Sequence, residues 1–150
     1  MSMSLNIVKK PNGILNKKLE SVKDITPKIK WLVSDMVKTM KESAGIGLAA
    51  NQVGRDMQLF IIEEELAREY GAPNVYINPE LKPYSKQTEE LEEGCLSVPD
   101  TWLKIKRWKK IKIKAVDENG NKFKFIAKGM LARVLQHEYD HLQGVLITDK

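Results

Sequence analysis

Apolar residues recur at three- and four-residue steps through Ile25, Ile29, Leu32, Val33, Met36, Val37 and Met40, the repeat of a helix with one buried face. Thr26 and Pro27 stand where an N-cap and a first-turn proline belong, so this helix should end near residues 43–45. The stretch GIGLAANQVG at 45–54 is rich in glycine and small residues, and its backbone can therefore approach another element or a ligand closely. Residues 57–62 read as a buried strand, 63–70 as a surface helical turn and 75–78 as a short strand. Pro79 and Pro83 bound a break. LEEGCLSVP at 91–99 reads as one strand with a glycine inside it. Lysines at 110, 112 and 114 alternate with Ile111, Ile113 and Ala115, the period of a strand with one buried face. DENGN at 117–121 supplies an Asn-Gly turn, and 122–127 the returning strand of a hairpin. Residues 130–142 form the last strong helix, with Gly144 where a C-terminal glycine cap sits. The sequence contains no internal repeat, linker or low-complexity segment.

A chain of 150 residues with 42% apolar side chains can bury one sizeable core, so residues 1–150 are expected to form a single domain. A charged fraction of 30%, with no apolar run near 18 residues, argues against a membrane span. The opening MSMSLNIVKKPNG lacks the apolar core of a secretory signal and the arginines of a transit peptide, so a cytoplasmic address is expected. The one cysteine, Cys95, has no intrachain disulfide partner, which suits a reducing compartment. The net charge of +5 is compatible with anionic partners but common among ordinary enzymes.

The sharpest chemical signal is His137-Glu138-Tyr139-Asp140-His141. On a helix, positions i and i+4 share a face, so two imidazoles there can grip one metal ion, with Glu138 beside them to handle a proton. The bland alternative is a pair of hydrogen-bonded structural histidines. A catalytic ion of this kind wants three protein ligands and one open position. The protease pattern HExxHxxGxxH keeps its glycine at Gly144 but meets Ile147 where the third histidine belongs. A glutamate well downstream is equally missing, since only nine residues follow His141 and Asp149 is the sole carboxylate among them. The soft thiolate of Cys95 is the best remaining third ligand, although a lone free cysteine is more often simply a small core residue.

Three segments, taken together, resemble peptide deformylases: GIGLAANQ at 45–52, EGCLS at 93–97 within LEEGCLSVP, and QHEYDH at 136–141 continued by LQGVL. They occur in that family's order and span nearly the whole chain. The resemblance implies an α+β fold, with antiparallel or mixed sheets around a C-terminal helix bearing the HExxH motif. It implies metal-dependent removal of the N-formyl group from the formyl-methionine of nascent peptides, releasing formate. Cys95, His137 and His141 would be the metal ligands, with water as the fourth. Glu138 would be the general base and then acid. The Leu96 backbone N–H and the Gln52 side chain would stabilise the oxyanion. Without the resemblance, Gln52 is a polar residue capping a turn.

The substrate would lie along Ile46 and Gly47 in the manner of strand addition. Its methionine would sit against Ile46, Leu91, Met130 and Val134, with Gly94 also at the binding surface. The apolar members are otherwise plain core positions. Glu93, Asp140 and Arg107 would orient the ligands or hold the cysteine loop. The resemblance implies ferrous iron as the native ion, with zinc, nickel or cobalt able to substitute, whereas the Cys-His-His set alone also suits zinc. Long forms of the family continue past HLxGVL, so the chain reads as a short form in which ribosome contact would be weak at most. Trp102 stands where bacterial relatives often carry an arginine, and Arg133 falls near the expected methionine pocket, so preference beyond formyl-methionine should differ.

Two rival readings remain. One is a metalloprotease, which lacks its third ligand. The other is a basic nucleic-acid or ribosome-binding module built on KIKRWKKIKIK at 104–114. The alternation makes a solvated outer strand face the simpler account of those lysines, so neither a specific nucleic acid nor a membrane is expected as a partner.

Overall fold

The computed structural model describes residues 2–150. The first helix, α1 (Pro27–Glu42), begins behind Thr26, whose side chain makes no cap hydrogen bond. Its start therefore rests on the fixed φ of Pro27. Four strands follow in the order β1 (Gly47–Ala49), β2 (Leu59–Ile62), β3 (Val75–Pro83) and β4 (Thr88–Cys95), with α2 (Glu64–Tyr70) between β2 and β3. Then come β5 (Val98–Trp108), β6 (Lys110–Val116), β7 (Lys122–Lys128) and α3 (Gly129–Leu142). Strands β1-β2-β3-β6-β7 form one sheet in that spatial order, and β4-β5 form a separate hairpin. The pairings are antiparallel throughout, which resolves the expectation of antiparallel or mixed sheets.

The large sheet is covered on both faces. Leu59 and Ile61 of β2 pack with Met36 and Met40 of α1, while Phe60 and Ile62 pack with Leu131, Ala132 and Leu135 of α3. This explains why the strand reads as an unbroken apolar run rather than an alternation. Each of these side chains except that of Ala132 contributes roughly 1.5–3 kcal/mol on burial. The helix α3 is consequently wedged between the sheet and the hairpin, and the hairpin carries Cys95.

Two expectations need correction, and one strand is added to them. The break at residues 79–83 is instead the second half of β3, whose register against β6 shifts between Ile77 and Glu80. Asn78 has φ 50° there, and its side chain holds the Val22 backbone at both N and O, 2.8 Å each. The kink absorbs Pro79, which has no N–H to give a ladder. Residues 91–99 are a hairpin rather than one strand, since Cys95 pairs with Val98 across the turn at Leu96 and Ser97. Residues 98–108 then form a long strand that the pattern does not reveal, because its buried members, Val98, Ile105 and Arg107, are widely spaced and one of them is charged.

Gly144 lies just past α3 with φ 80°, and a Cβ there would come within 2.7 Å of the Asn16 backbone. No side chain fits, so the chain leaves the helix there. No helix among the described residues is long and apolar enough to cross a membrane.

Candidate metal centre and cleft

α3 places His137 and His141 one turn apart with their rings meeting edge to face, and their Nε2 atoms are 3.2 Å apart. The tight hairpin turn brings Cys95 Sγ to 3.4 Å from His141 Nε2. The three ligand-type atoms lie within 4.8 Å of one another. The Nδ1 of His137 faces Glu93 Oε1 at 2.9 Å, which aims Nε2 at the common centre. The other ring nitrogen of His141 is buried without a protein partner among the described residues.

These donors fit a divalent cation. Burial alone would lower the pKa of His137, yet hydrogen bonding to Cys95 and Glu93 and the charge of Glu138 push it up to about 10. Such a ring favours positive charge at its free nitrogen, and a metal ion meets that demand as a proton does. Burial, followed by the charges of His137 and Arg107, drives the His141 pKa well below its ordinary value, leaving a neutral lone-pair donor. Sulfur plus two imidazole nitrogens is a soft and borderline set suited to zinc, iron, cobalt or nickel.

Glu138 is buried, with Oε1 unpartnered among the described residues and Oε2 3.9 Å from His137 Nε2. Burial pushes its carboxyl up to about 7, the range in which a carboxyl group both takes and returns a proton near neutrality. Gly47 explains how the carboxylate reaches the cleft, since a Cβ there would lie 2.6 Å from Glu138 Oε2.

Behind the ligands runs a buried ionic network. Arg107 donates from Nε and Nη2 to the two oxygens of Glu93 at 2.9 and 2.8 Å, and from Nη1 to Asp140. Arg133 also donates to Glu93, as well as to the Ile105 carbonyl at 3.1 Å and the Glu89 carbonyl at 2.7 Å. Burial raises the pKa of Glu93, but the hydrogen bonds from Arg107 and His137 outweigh it and hold the carboxyl well below the usual carboxylate range. The guanidiniums clamp Glu93, and Glu93 in turn clamps His137.

Gln52 sits in the short helical turn after β1 and is buried. Its Oε1 accepts from the Ala49 N–H at 3.0 Å, and its Nε2 donates to Ser97 Oγ at 3.1 Å and approaches Cys95 Sγ at 3.6 Å. Asn51 ties the same turn to the end of α3 through the His141 carbonyl at 2.9 Å.

Above these groups opens a cavity of about 570 Å³. Ile46, Gly47, Leu91, Gly94, Met130 and Val134 all line it, as do Gln52, Cys95, Leu96, His137 and Glu138. Sequence reasoning missed Ser97 as a partner of Gln52, although the EGCLS segment contains it. It also missed that Arg133 is a buried partner of Glu93, for which a charged residue on an amphipathic helix gives no signal. Trp102 forms a wall of the cleft against Gly94, where a Cβ would meet its ring at 2.7 Å.

Comparison with known proteins gives one consistent result. The family model described as polypeptide deformylase matches residues 4–150. Peptide deformylase 1 of Clostridium perfringens is 50% identical over 137 residues, covering 91% of this chain and 90% of that protein. The peptide deformylase of Psychrobacter cryohalolentis is 43% identical over 145 residues, covering 97% and 78%. The crystal structure of the peptide deformylase from Thermotoga maritima superposes with a TM-score of 0.90 at 36% identity, covering 98% of this chain and 97% of that one.

Proposed function

The chain belongs to the polypeptide deformylase family, and from that premise we propose which of its residues carry the reaction and which ion they hold. The protein is a metal-dependent hydrolase that removes the N-formyl group from nascent peptides. Cys95, His137 and His141 hold one divalent ion, ferrous iron in the native protein, with zinc, nickel or cobalt as substitutes. Bound there, the ion supplies Lewis-acid polarisation of water and of the formyl carbonyl.

The remaining steps belong to the chain. Glu138 takes a proton from the attacking water as its oxygen bonds to the formyl carbon. The same carboxyl returns that proton to the amine as the C–N bond breaks, and formate leaves. Gln52 Nε2 and the Leu96 N–H donate to the oxygen that gains negative charge at the tetrahedral stage. Glu93, backed by Arg107 and Asp140, keeps His137 in its ligating orientation.

The peptide lies along Ile46 and Gly47 as an added strand. This is supported by β1 being the terminal strand of its sheet, with an edge left unpaired by β2. Its methionine fills the space between Ile46, Leu91, Met130 and Val134, beside Gly94. Residues 1–150 act as one catalytic domain in the cytoplasm, where any ribosome contact is weak and neither a membrane nor a specific nucleic acid is engaged.

The observation that carries this reading is the convergence of one sulfur and two imidazole nitrogens within 4.8 Å, at the floor of a cleft that Glu138 also lines. Protein purified without oxygen should hold one equivalent of iron per chain and release formate from formyl-methionyl peptides. That activity should decay in air as iron and thiolate oxidise. An air-stable zinc protein of full activity would remove the iron assignment.

A further inference from the structure

The two groups assigned to the oxyanion lie in different parts of the fold. Gln52 follows β1 in the large sheet, whereas Leu96 sits at the tip of the separate β4-β5 hairpin. No shared strand ladder sets their spacing. The N-terminal segment does join them. The Val8 N–H donates to the Gln52 carbonyl at 2.7 Å, and the Lys10 N–H donates to the Ser97 carbonyl at 2.9 Å. On the cleft side, Gln52 Nε2 donates to Ser97 Oγ at 3.1 Å. Gln52, Ser97 and residues 8–10 therefore close a hydrogen-bonded ring around the junction.

The strap is anchored at both ends. Upstream, the Leu5 N–H donates to Thr39 Oγ1 of α1 at 2.8 Å. Downstream, Leu15 is fully buried in a small apolar cluster with Val98 and Leu146, against which Val8 and Cys95 pack. A segment held at both ends and bonded to both donor-bearing pieces can fix their separation without touching substrate.

We propose that residues 8–10 are a positioning strap whose two backbone amides set the distance between the Gln52 side chain and the Leu96 N–H, and thereby set kcat. The inference rests on the reading of Gln52 and Leu96 as oxyanion donors. Donors must match the place where charge develops, and small displacements at a reacting centre cost large factors in rate. Loss of the strap should therefore lower kcat and spare KM.

Val8→Pro deletes the amide that bonds Gln52, while Val8→Ala trims the side chain and keeps it. On metal-loaded protein with formyl-Met-Ala-Ser, Val8→Ala, which keeps the amide, should lose far less in kcat than Val8→Pro. Val8→Pro should lose about tenfold in kcat, with KM within about twofold. In a Gln52→Ala background, Val8→Pro should cost nothing further, because its effect runs through Gln52. The ligand-field absorption of the cobalt-substituted protein should be the same in Val8→Pro as in the parent. Lys10→Pro deletes the second strap amide, the one that bonds Ser97, and should likewise lower kcat and spare KM, so it replaces Val8→Pro should that variant not fold. Parent-like kcat in the amide-deleted variant, an equal loss in the Gln52→Ala background, or a shifted cobalt spectrum would each overturn the strap. Parent-like kcat in Gln52→Ala alone would instead overturn the donor reading beneath it.

Discussion

At the floor of the cleft, Glu93, Arg107 and Arg133 are only 4–7% exposed, whereas at its mouth Leu91, Ile46 and Met130 are 43–48% exposed and Trp102 is 69% exposed. The floor is made of charges that hold one another. Arg107 bridges Glu93 and Asp140, Glu93 reaches His137, and each member would be costly to leave alone in that setting. The mouth is made of side chains that touch solvent and await an apolar partner. The contrast separates a buried, mutually paired floor from an open, apolar mouth. A floor of this kind is suited to fixing the angles of ligands, and a mouth of this kind to offering apolar area.

The comparison breaks most visibly at Glu93. Glu93→Ala leaves the buried Arg133 facing no carboxylate and Arg107 with Asp140 alone, and should lower the unfolding free energy of the metal-free protein by about 3–5 kcal/mol in a urea titration. A loss below about 1 kcal/mol would mean that the network is decorative. Next in size is Gln52→Ala, which should cut kcat on formyl-Met-Ala-Ser by about 10²–10³ with little change in KM, as expected for one lost oxyanion donor. An equal rise in KM at constant kcat would place Gln52 in ground-state binding instead.

Glu93→Gln keeps an acceptor for His137 but gives up the charge. Competition with a chelator should show metal affinity weakened by about 10–100-fold. Unchanged affinity would show that shape alone orients the ring. The smallest effect belongs to the mouth. Met130→Ala should raise KM for formyl-methionyl peptides roughly threefold to tenfold, about 1 kcal/mol of lost apolar contact, with kcat preserved. A fall in kcat would show that the mouth also shares in the chemistry.

Much of the fold was legible because periodicity and turn chemistry are local. The alternation of Lys110, Lys112 and Lys114 with Ile111, Ile113 and Ala115 appears as β6, and the Asn-Gly turn leads into β7. The long strand β5 was not legible, because its inward positions include Arg107, whose burial depends on Glu93 arriving from β4. Pattern reading also stopped at Pro79, since the Asn78 contacts that carry β3 through it come from Val22, far away in the chain. At the site, spacing alone put His137 and His141 on one face of a helix, and the structure has them on adjoining turns of α3. The partnership of Cys95 with them is a tertiary fact that the family resemblance supplied and spacing did not. The ring through Val8, Gln52, Ser97 and Lys10 left no sequence trace, since its links with the N-terminal segment are backbone amides and carbonyls, which every residue there has.

The most direct test is formate release from formyl-Met-Ala-Ser by anaerobically purified, iron- or nickel-loaded protein, with Glu138→Ala measured beside it under the same loading. The account predicts rapid release by the parent and a drop of about 10²–10⁴ in kcat for the variant at equal metal content. Parent-like release from Glu138→Ala would contradict the assignment of the proton-transferring group. No release from folded, metal-loaded parent would contradict the account as a whole.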